Sequence, residues 1–163
     1  MKKVAVLLLS IILLFCACDS KETVEPVLNG ISFSANIDYN GYKCTCAVKA
    51  FGGGVFICEI ESPALIKGTT LEFDGNKLTL SFMGIKYEPQ LPLPCENMAE
   101  ILKTVINSAQ NGIAGKNPEG HYEIKGRTGE YEYIVTVAQT GLPVKIECED
   151  INFTAEISNV NLL

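Results

Sequence analysis

The chain has no tryptophan and a single histidine, His121. Without tryptophan no large aromatic platform stands ready for a sugar, and a glycosidase carboxylate pair loses its usual setting. There is no Gly-x-Ser-x-Gly elbow and no Walker loop. Gly52-Gly53-Gly54 has no Lys-Ser/Thr behind it and reads as a turn. Asp74-Gly75-Asn76 begins like a calcium loop, but the later ligands and the closing glutamate are missing. Basic charge is short as well: 13 Lys and Arg face 19 Asp and Glu, a formal net charge of −6. Such a chain repels phosphate backbones and anionic membrane surfaces, so nucleic acid is not expected as a partner. No internal repeat is evident, and no apolar run reaches the roughly 20 residues that a transmembrane helix needs.

What is present begins with Met1-Lys2-Lys3 and an apolar run from Val4 to Ala17, broken only by Ser10. A short basic head before such a run is an export signal. A buried core helix is the plainer alternative, but here head, run and cysteine boundary coincide. Cutting after Ala17 places Phe15 at −3, which suits ordinary signal peptidase poorly. The segment Leu14-Phe15-Cys16-Ala17-Cys18 resembles a bacterial lipoprotein lipobox, with Phe15 departing from the usual aliphatic residue. The resemblance implies a signal over 1–17, a lipidated Cys18 carrying palmitate-type chains, and attachment to the outer face of the bacterial cytoplasmic membrane. At about 0.8 kcal/mol per buried methylene, two or more chains anchor stably where one does not. Cys16, behind bulky Phe15, is a late residue of the signal. Asp19 resembles a signal to stay at the inner membrane. Residues 18–29 read as the lipidated N-terminus and a short acidic tether, and 30–163 as one domain. With Lys2 and Lys3 gone, the formal charge falls from −6 to −8.

Period-two alternation then marks strands. Ile31, Phe33, Ala35, Ile37 and Tyr39 share a face, and Asn40-Gly41 is a hairpin turn. Tyr42, Cys44, Cys46, Val48 and Ala50 follow on one face, then Phe56, Cys58 and Ile60 beyond the glycine turn. Thr70–Asp74 and Lys77–Met83 form a further hairpin, with Ile85–Glu88 extending it through a bulge. The proline-rich 88–94 is a stiff connector, with a proline ligand for a partner as the alternative. Residues 95–110 form a helix whose Met98, Ile101, Leu102, Val105, Ile106 and Ala109 make one apolar stripe. A loop over 113–120 leads to strands at 121–126, 130–138, 143–148 and 151–160, where Val144, Ile146 and Cys148 share a face. About nine strands with short turns imply antiparallel neighbours, and one helix cannot cover so large a sheet. The fold class is α+β, mostly β: an antiparallel curled sheet, an open half-barrel, with one long amphipathic helix packed into it.

Five cysteines remain beyond Cys18: Cys44, Cys46, Cys58, Cys95 and Cys148. Export permits disulfides, and an odd count leaves at least one thiol unpaired. Cys44 and Cys46, two apart on one strand, are badly placed to bridge each other. The glycine turn pairs positions whose numbers sum to about 106, setting Cys46 opposite Ile60 and Cys58 opposite Val48. A Cys46–Cys58 disulfide therefore needs a two-residue register change. Core thiols, that disulfide and a soft-metal site are the three readings; the spacing matches no zinc pattern, and no metal is expected. His121 reads as a surface residue, with a pH switch or catalytic base as the alternative. Glu130, Glu132, Glu147 and Glu149 alternate with apolar residues and mark a solvated face.

The order of elements resembles the LolA-like superfamily of lipoproteins and lipid carriers over roughly 30–160. The most similar part is Glu130-Tyr131-Glu132-Tyr133, then Thr140-Gly141-Leu142-Pro143-Val144 and the closing strand over 153–160. The resemblance implies an unclosed barrel with an apolar hollow that the helix lids, without cofactor or catalytic residue. The counterpart lining is Phe56, Phe82, Met98, Leu102, Val105 and Tyr133, each of which is otherwise ordinary core. It implies a non-enzymatic, surface-anchored lipoprotein that binds or passes on a lipid or other apolar ligand. An envelope protein–protein interaction module with a solid core is the alternative, and a hydrolase the third class.

Overall fold

The computed structural model describes residues 22–75, 77–88 and 94–163. Residues 1–21, which include the expected signal and Cys18, together with Asn76 and most of the proline-rich stretch, lie outside the described residues. The elements are β1 (Thr23–Val24), β2 (Ile31–Tyr39), β3 (Tyr42–Gly52), β4 (Val55–Ser62), β5 (Thr70–Asp74), β6 (Lys77–Phe82) and β7 (Ile85–Tyr87). The helix α1 (Pro94–Ala109) follows, then β8 (Ala114–Lys116), β9 (Tyr122–Arg127), β10 (Glu132–Val137), β11 (Pro143–Cys148) and β12 (Phe153–Leu162). All strands join one sheet in the order β1-β8-β9-β10-β11-β12-β2-β3-β4-β5-β6-β7, and every pairing is antiparallel. Its two edges do not meet. The expected open half-barrel with one helix is the architecture observed.

The alternation read from the sequence becomes the concave face. Ile31, Phe33, Ala35 and Ile37 of β2 are buried, as are Cys44, Cys46, Val48 and Ala50 of β3 and Phe153, Ala155 and Ile157 of β12. The register is the one the glycine turn dictates, with Cys46 opposite Ile60 and Val48 opposite Cys58. Asn40 and Gly41 both take positive φ, and the Gly41 amide donates to Asp38 Oδ1 at 3.1 Å. That is the primed turn whose twist suits a hairpin.

Three strands exceed the nine expected. The stretch after Phe82 does not continue through a bulge. Met83 and Gly84 have φ of 50° and 80°, the same primed signature, so the chain reverses and β7 pairs back on β6. The other two, β1 and β8, pair with each other, Thr23 with Gly115 and Val24 with Ala114. Two or three residues are too few to display a period. In β11, Val144 points out and is 45% exposed, although Ile146 and Cys148 are buried. A register shift between Thr136 and Val137 of β10 accounts for it: the extra residue turns Val144 to the other face.

The segment read as a tether is packed on the domain from Glu22 onward. Glu22 pairs with Lys116 at 2.5 Å and accepts from the Tyr122 hydroxyl at 3.1 Å. The Val27 amide donates to Gly141 O at 2.9 Å, and the Gly30 amide to Ala50 O at 2.8 Å. Leu28 is fully buried, and Asn29 donates to the Gln110 side chain at the foot of α1. Gly141 has φ +83°, and a Cβ there would stand 2.2 Å from Glu25 O, so only glycine lets this strap close. Polar composition suggested a solvated linker, but one leucine and a row of backbone bonds hold it down.

The strand directions define two ends. At the strap end lie Glu22, the β8–β9 loop, the Gly141 turn and the last turn of α1. At the other end β2, β4 and β6 finish, β10 and β12 begin, and α1 starts.

Candidate ligand-binding site

Helix α1 sits in the concavity against β3, β9 and β10. Its buried residues include the expected stripe of Met98, Ile101, Leu102, Val105, Ile106 and Ala109, but also Cys95, Ala99 and Lys103. The last three are spaced i, i+4, i+8, a second row on the flank facing β3 to β5. The curled sheet wraps the helix over a wider arc than a one-sided amphipathic stripe implies.

The cover is uneven. Against β3, β9 and β10 the packing is complete, with Leu102 and Val105 fully buried. Toward the β5–β6 arm it thins: Leu80 is buried, but Leu78 and Phe82, on the same inner face, are only partly so. On this flank Lys103 is 9% exposed and holds its Nζ 4.3 Å from the centre of the Phe73 ring, a cation–π contact. Phe73 in turn meets Phe56 edge-on at 6.3 Å. On the opposite flank, at the end where α1 starts, a cleft of about 600 Å³ opens between the helix and the β9–β10 turn. Tyr39, Ile101, Tyr131 and Ile151 supply its apolar wall, and Asn97, Glu100 and Thr104 its polar rim. Burial pushes the Tyr131 hydroxyl up to about 12, against a hydrogen bond with Thr104 that works the other way.

Of the six lining residues implied by the resemblance, Phe56, Met98, Leu102, Val105 and Tyr133 are buried in the core and Phe82 is half-buried on the β6 flank. None of them lines the cleft at the helix start. Tyr133 has a particular task. It stands opposite Gly126, and a Cβ there would lie 2.3 Å from its hydroxyl, so the ring is laid across the glycine. Burial raises its pKa. Lys103 escaped sequence reasoning because lysine is by default a solvent residue; its i+4 spacing from Cys95 and Ala99 was the only available signal.

All five described cysteines are free and buried. Cys46 and Cys58 are diagonal rather than opposed across β3 and β4, and their thiols hydrogen-bond. That bond and burial raise the Cys58 thiol well above its ordinary range. Burial, helped by Cys46 and Cys95, pushes Cys44 up to about 12, and burial with Asp150 does the same to Cys148. Cys95 at the helix start is raised by burial too. Burial thus favours the neutral thiol at Cys44, Cys58, Cys95 and Cys148, a weaker nucleophile and metal ligand than the thiolate. No group of His, Cys, Asp or Glu among the described residues is arranged to hold a metal ion. His121 is exposed in an open surface cleft with Glu123 and Lys145, away from the concave face. Among the described residues no helix is long and apolar enough to cross a membrane.

No protein-family model matches the chain, and no curated protein matches its sequence. Solved structures do. An uncharacterized conserved protein from Thermus thermophilus aligns over 84% of this chain and 80% of its own at 11% identity, with a TM-score of 0.50. A LolA superfamily protein from Nitrosomonas europaea aligns over 82% and 84% at 12% identity, with a TM-score of 0.44. A DUF1329 family protein from Desulfovibrio piger aligns over 88% and 87% at 11% identity, with a TM-score of 0.46. The likeness to the Thermus protein is one of fold. A curled, unclosed sheet around a single helix is also the architecture that the LolA-like resemblance implied.

Proposed function

We propose that the protein is a non-enzymatic bacterial lipoprotein, anchored through Cys18 at the outer face of the cytoplasmic membrane, that binds a lipid or other apolar ligand between α1 and the concave face of the sheet. The observation that carries this reading is the uneven cover of that face. A single helix plugs its middle, while Leu78 and Phe82 on one flank and Tyr39, Ile101, Tyr131 and Ile151 on the other keep apolar surface within reach of a ligand. A cleft of about 600 Å³ falls in the ordinary range for small-ligand sites. Among the described residues the site offers apolar walls and no nucleophile–base pair, which suits binding rather than turnover. Native mass spectrometry of the mature protein, purified without detergent exchange, tests the reading. An acyl-chain ligand should co-purify. Protein free of ligand that also fails to enhance a hydrophobic fluorophore would overturn it. Anchoring has its own test: Cys18→Ala should move the protein from the membrane to the soluble fraction.

A second reading has one specific observation behind it. Leu65, on the connection between β4 and β5, and Met83 and Ile85, at the β6–β7 turn, are 87%, 85% and 69% exposed, all at the end where α1 starts. An apolar corner on an open sheet edge is a contact surface for a protein partner. Envelope docking through this corner is compatible with ligand binding in the concavity.

A further inference from the structure

We infer that the strap end is a membrane-contact face, whose exposed apolar residues Phe51, Ile113, Leu162 and Leu163 enter the interfacial layer of the bilayer that holds the lipid on Cys18. The inference rests on the anchoring reading above and adds which face of the domain meets that bilayer. The four side chains are between 48% and 72% exposed. Strand β2 begins at the strap end, so β3 and β12, both antiparallel to it, finish there. Gly30 is held from both sides: its amide donates to Ala50 O, and its carbonyl accepts from the Leu163 amide at 2.8 Å. Next to it, Ile31 pairs with Ala50 on one side and Leu162 on the other. Phe51 and Leu163 therefore flank a residue that has no side chain, with Leu162 beside them. Ile113 belongs to the other half of the strap, where its neighbour Ala114 pairs with Val24. Asn29, bonded to Gln110, ties the two groups together across the foot of α1.

The position of Cys18 names the occupant. Packing of the chain begins at Glu22, at this same end and close in sequence to Cys18. A lipid there brings the bilayer to the strap end before any other part of the domain. Once the domain is tethered, the contact is intramolecular, at an effective concentration of the order of millimolar, so a patch too small to hold a free protein on a membrane still engages. Exposed apolar clusters of this kind mark protein or membrane contacts. Here Gly52, Gly53, Gly54 and Asn161, beside Phe51 and Leu162, carry no charge that would have to be desolvated. The attraction is apolar rather than electrostatic, as an acidic chain requires, since it is repelled by anionic lipid.

The chain has no tryptophan, so a single introduced one reports its own surroundings. The lipidated protein carrying Phe51→Trp or, separately, Ile85→Trp is placed in phosphatidylcholine vesicles that contain lipid brominated on the acyl chains. Ile85, on β7, belongs to the end where α1 starts. The Phe51→Trp emission should be quenched and shifted to shorter wavelength relative to the same variant released by Cys18→Ala, and the Ile85→Trp emission should match that of its released form. Leu162→Trp should repeat the Phe51→Trp result from another strand. Adding Ile113→Ser and Leu162→Ser to Phe51→Trp should restore most of the lost emission. No quenching at positions 51 and 162, equal quenching at 51 and 85, or quenching unmoved by the two serines would overturn the contact face and leave the anchor standing. Wild-type protein recovered in the soluble fraction would overturn the anchor and this inference together.

Discussion

Raising the pH from 8 to 10 should weaken the fold by an amount set by its thiols. Cys44 and Cys148 each move from an ordinary 9.0 to about 12 on folding, chiefly through burial. A thiol raised in the fold contributes stability that is complete below its unfolded value and disappears as pH climbs toward its folded one. At 1.36 kcal/mol per unit, each of these two surrenders about 1.4 kcal/mol between about pH 8 and pH 10. Together that is about 3 kcal/mol, roughly 6–12 °C in Tm for a domain of this size. Cys58 and Cys95 shift in the same direction and add to the fall. The assay is urea unfolding of the mature protein at several pH values under reducing conditions, followed by circular dichroism. Cys148→Ala should start out less stable at neutral pH yet lose about 1.4 kcal/mol less on the way to pH 10, because its ionisation no longer opposes folding. Two results would refute the reasoning. One is a stability profile flat across this range. The other is fewer than the five described thiols reacting with Ellman's reagent in denaturant, which would mean a disulfide where the structure has free thiols.

Two further outcomes follow from the strap and the exposed corner. Gly141→Ala forces a side chain into positive φ and against Glu25 O, so it should cost about 1–3 kcal/mol, and amide exchange at Thr23 and Val27 should quicken well beyond the rest of the sheet; unchanged exchange at those amides would mean the strap is held elsewhere. Met83→Lys with Ile85→Lys alters only exposed residues and should change stability by no more than about 0.5 kcal/mol per site while leaving cis-parinaric acid binding intact; lost probe binding would move the ligand site from the concavity to the corner.

The strands with a buried face were legible because period two survives wherever one side of a sheet is apolar. The β3–β4 pairing follows the sum of about 106 read from the glycine turn, with Cys46 opposite Ile60, although a bulge between Ala50 and Gly52, which the sequence did not announce, sits beside that turn. Three features were not legible. Strands β1, β7 and β8 are too short to carry a pattern. The strap looks solvated because its hold comes from backbone hydrogen bonds to Gly141 and Ala50, which side-chain composition does not report. Lys103 reads as surface because burial of a lysine is a property of the wrapped sheet, not of the helix that carries it. The flank where it sits was implied only through Phe82.

The strap has a consequence for which way the molecule faces. If Cys18 carries the proposed lipid, then with Glu22 fixed to Lys116 and Tyr122 only residues 19–21 would separate that lipid from the fold. That link reaches at most about 14 Å. The strands of β2 carry the opposite end about 30 Å away. A leash shorter than the body it holds lets the domain tilt but not stand on its head. Under the proposed anchoring at Cys18, the Tyr39–Ile151 cleft and the apolar residues at Met83 would therefore face away from the bilayer. Exchange with that same membrane would then require the domain to lie on its side, whereas a partner approaching from the far side would meet both surfaces directly.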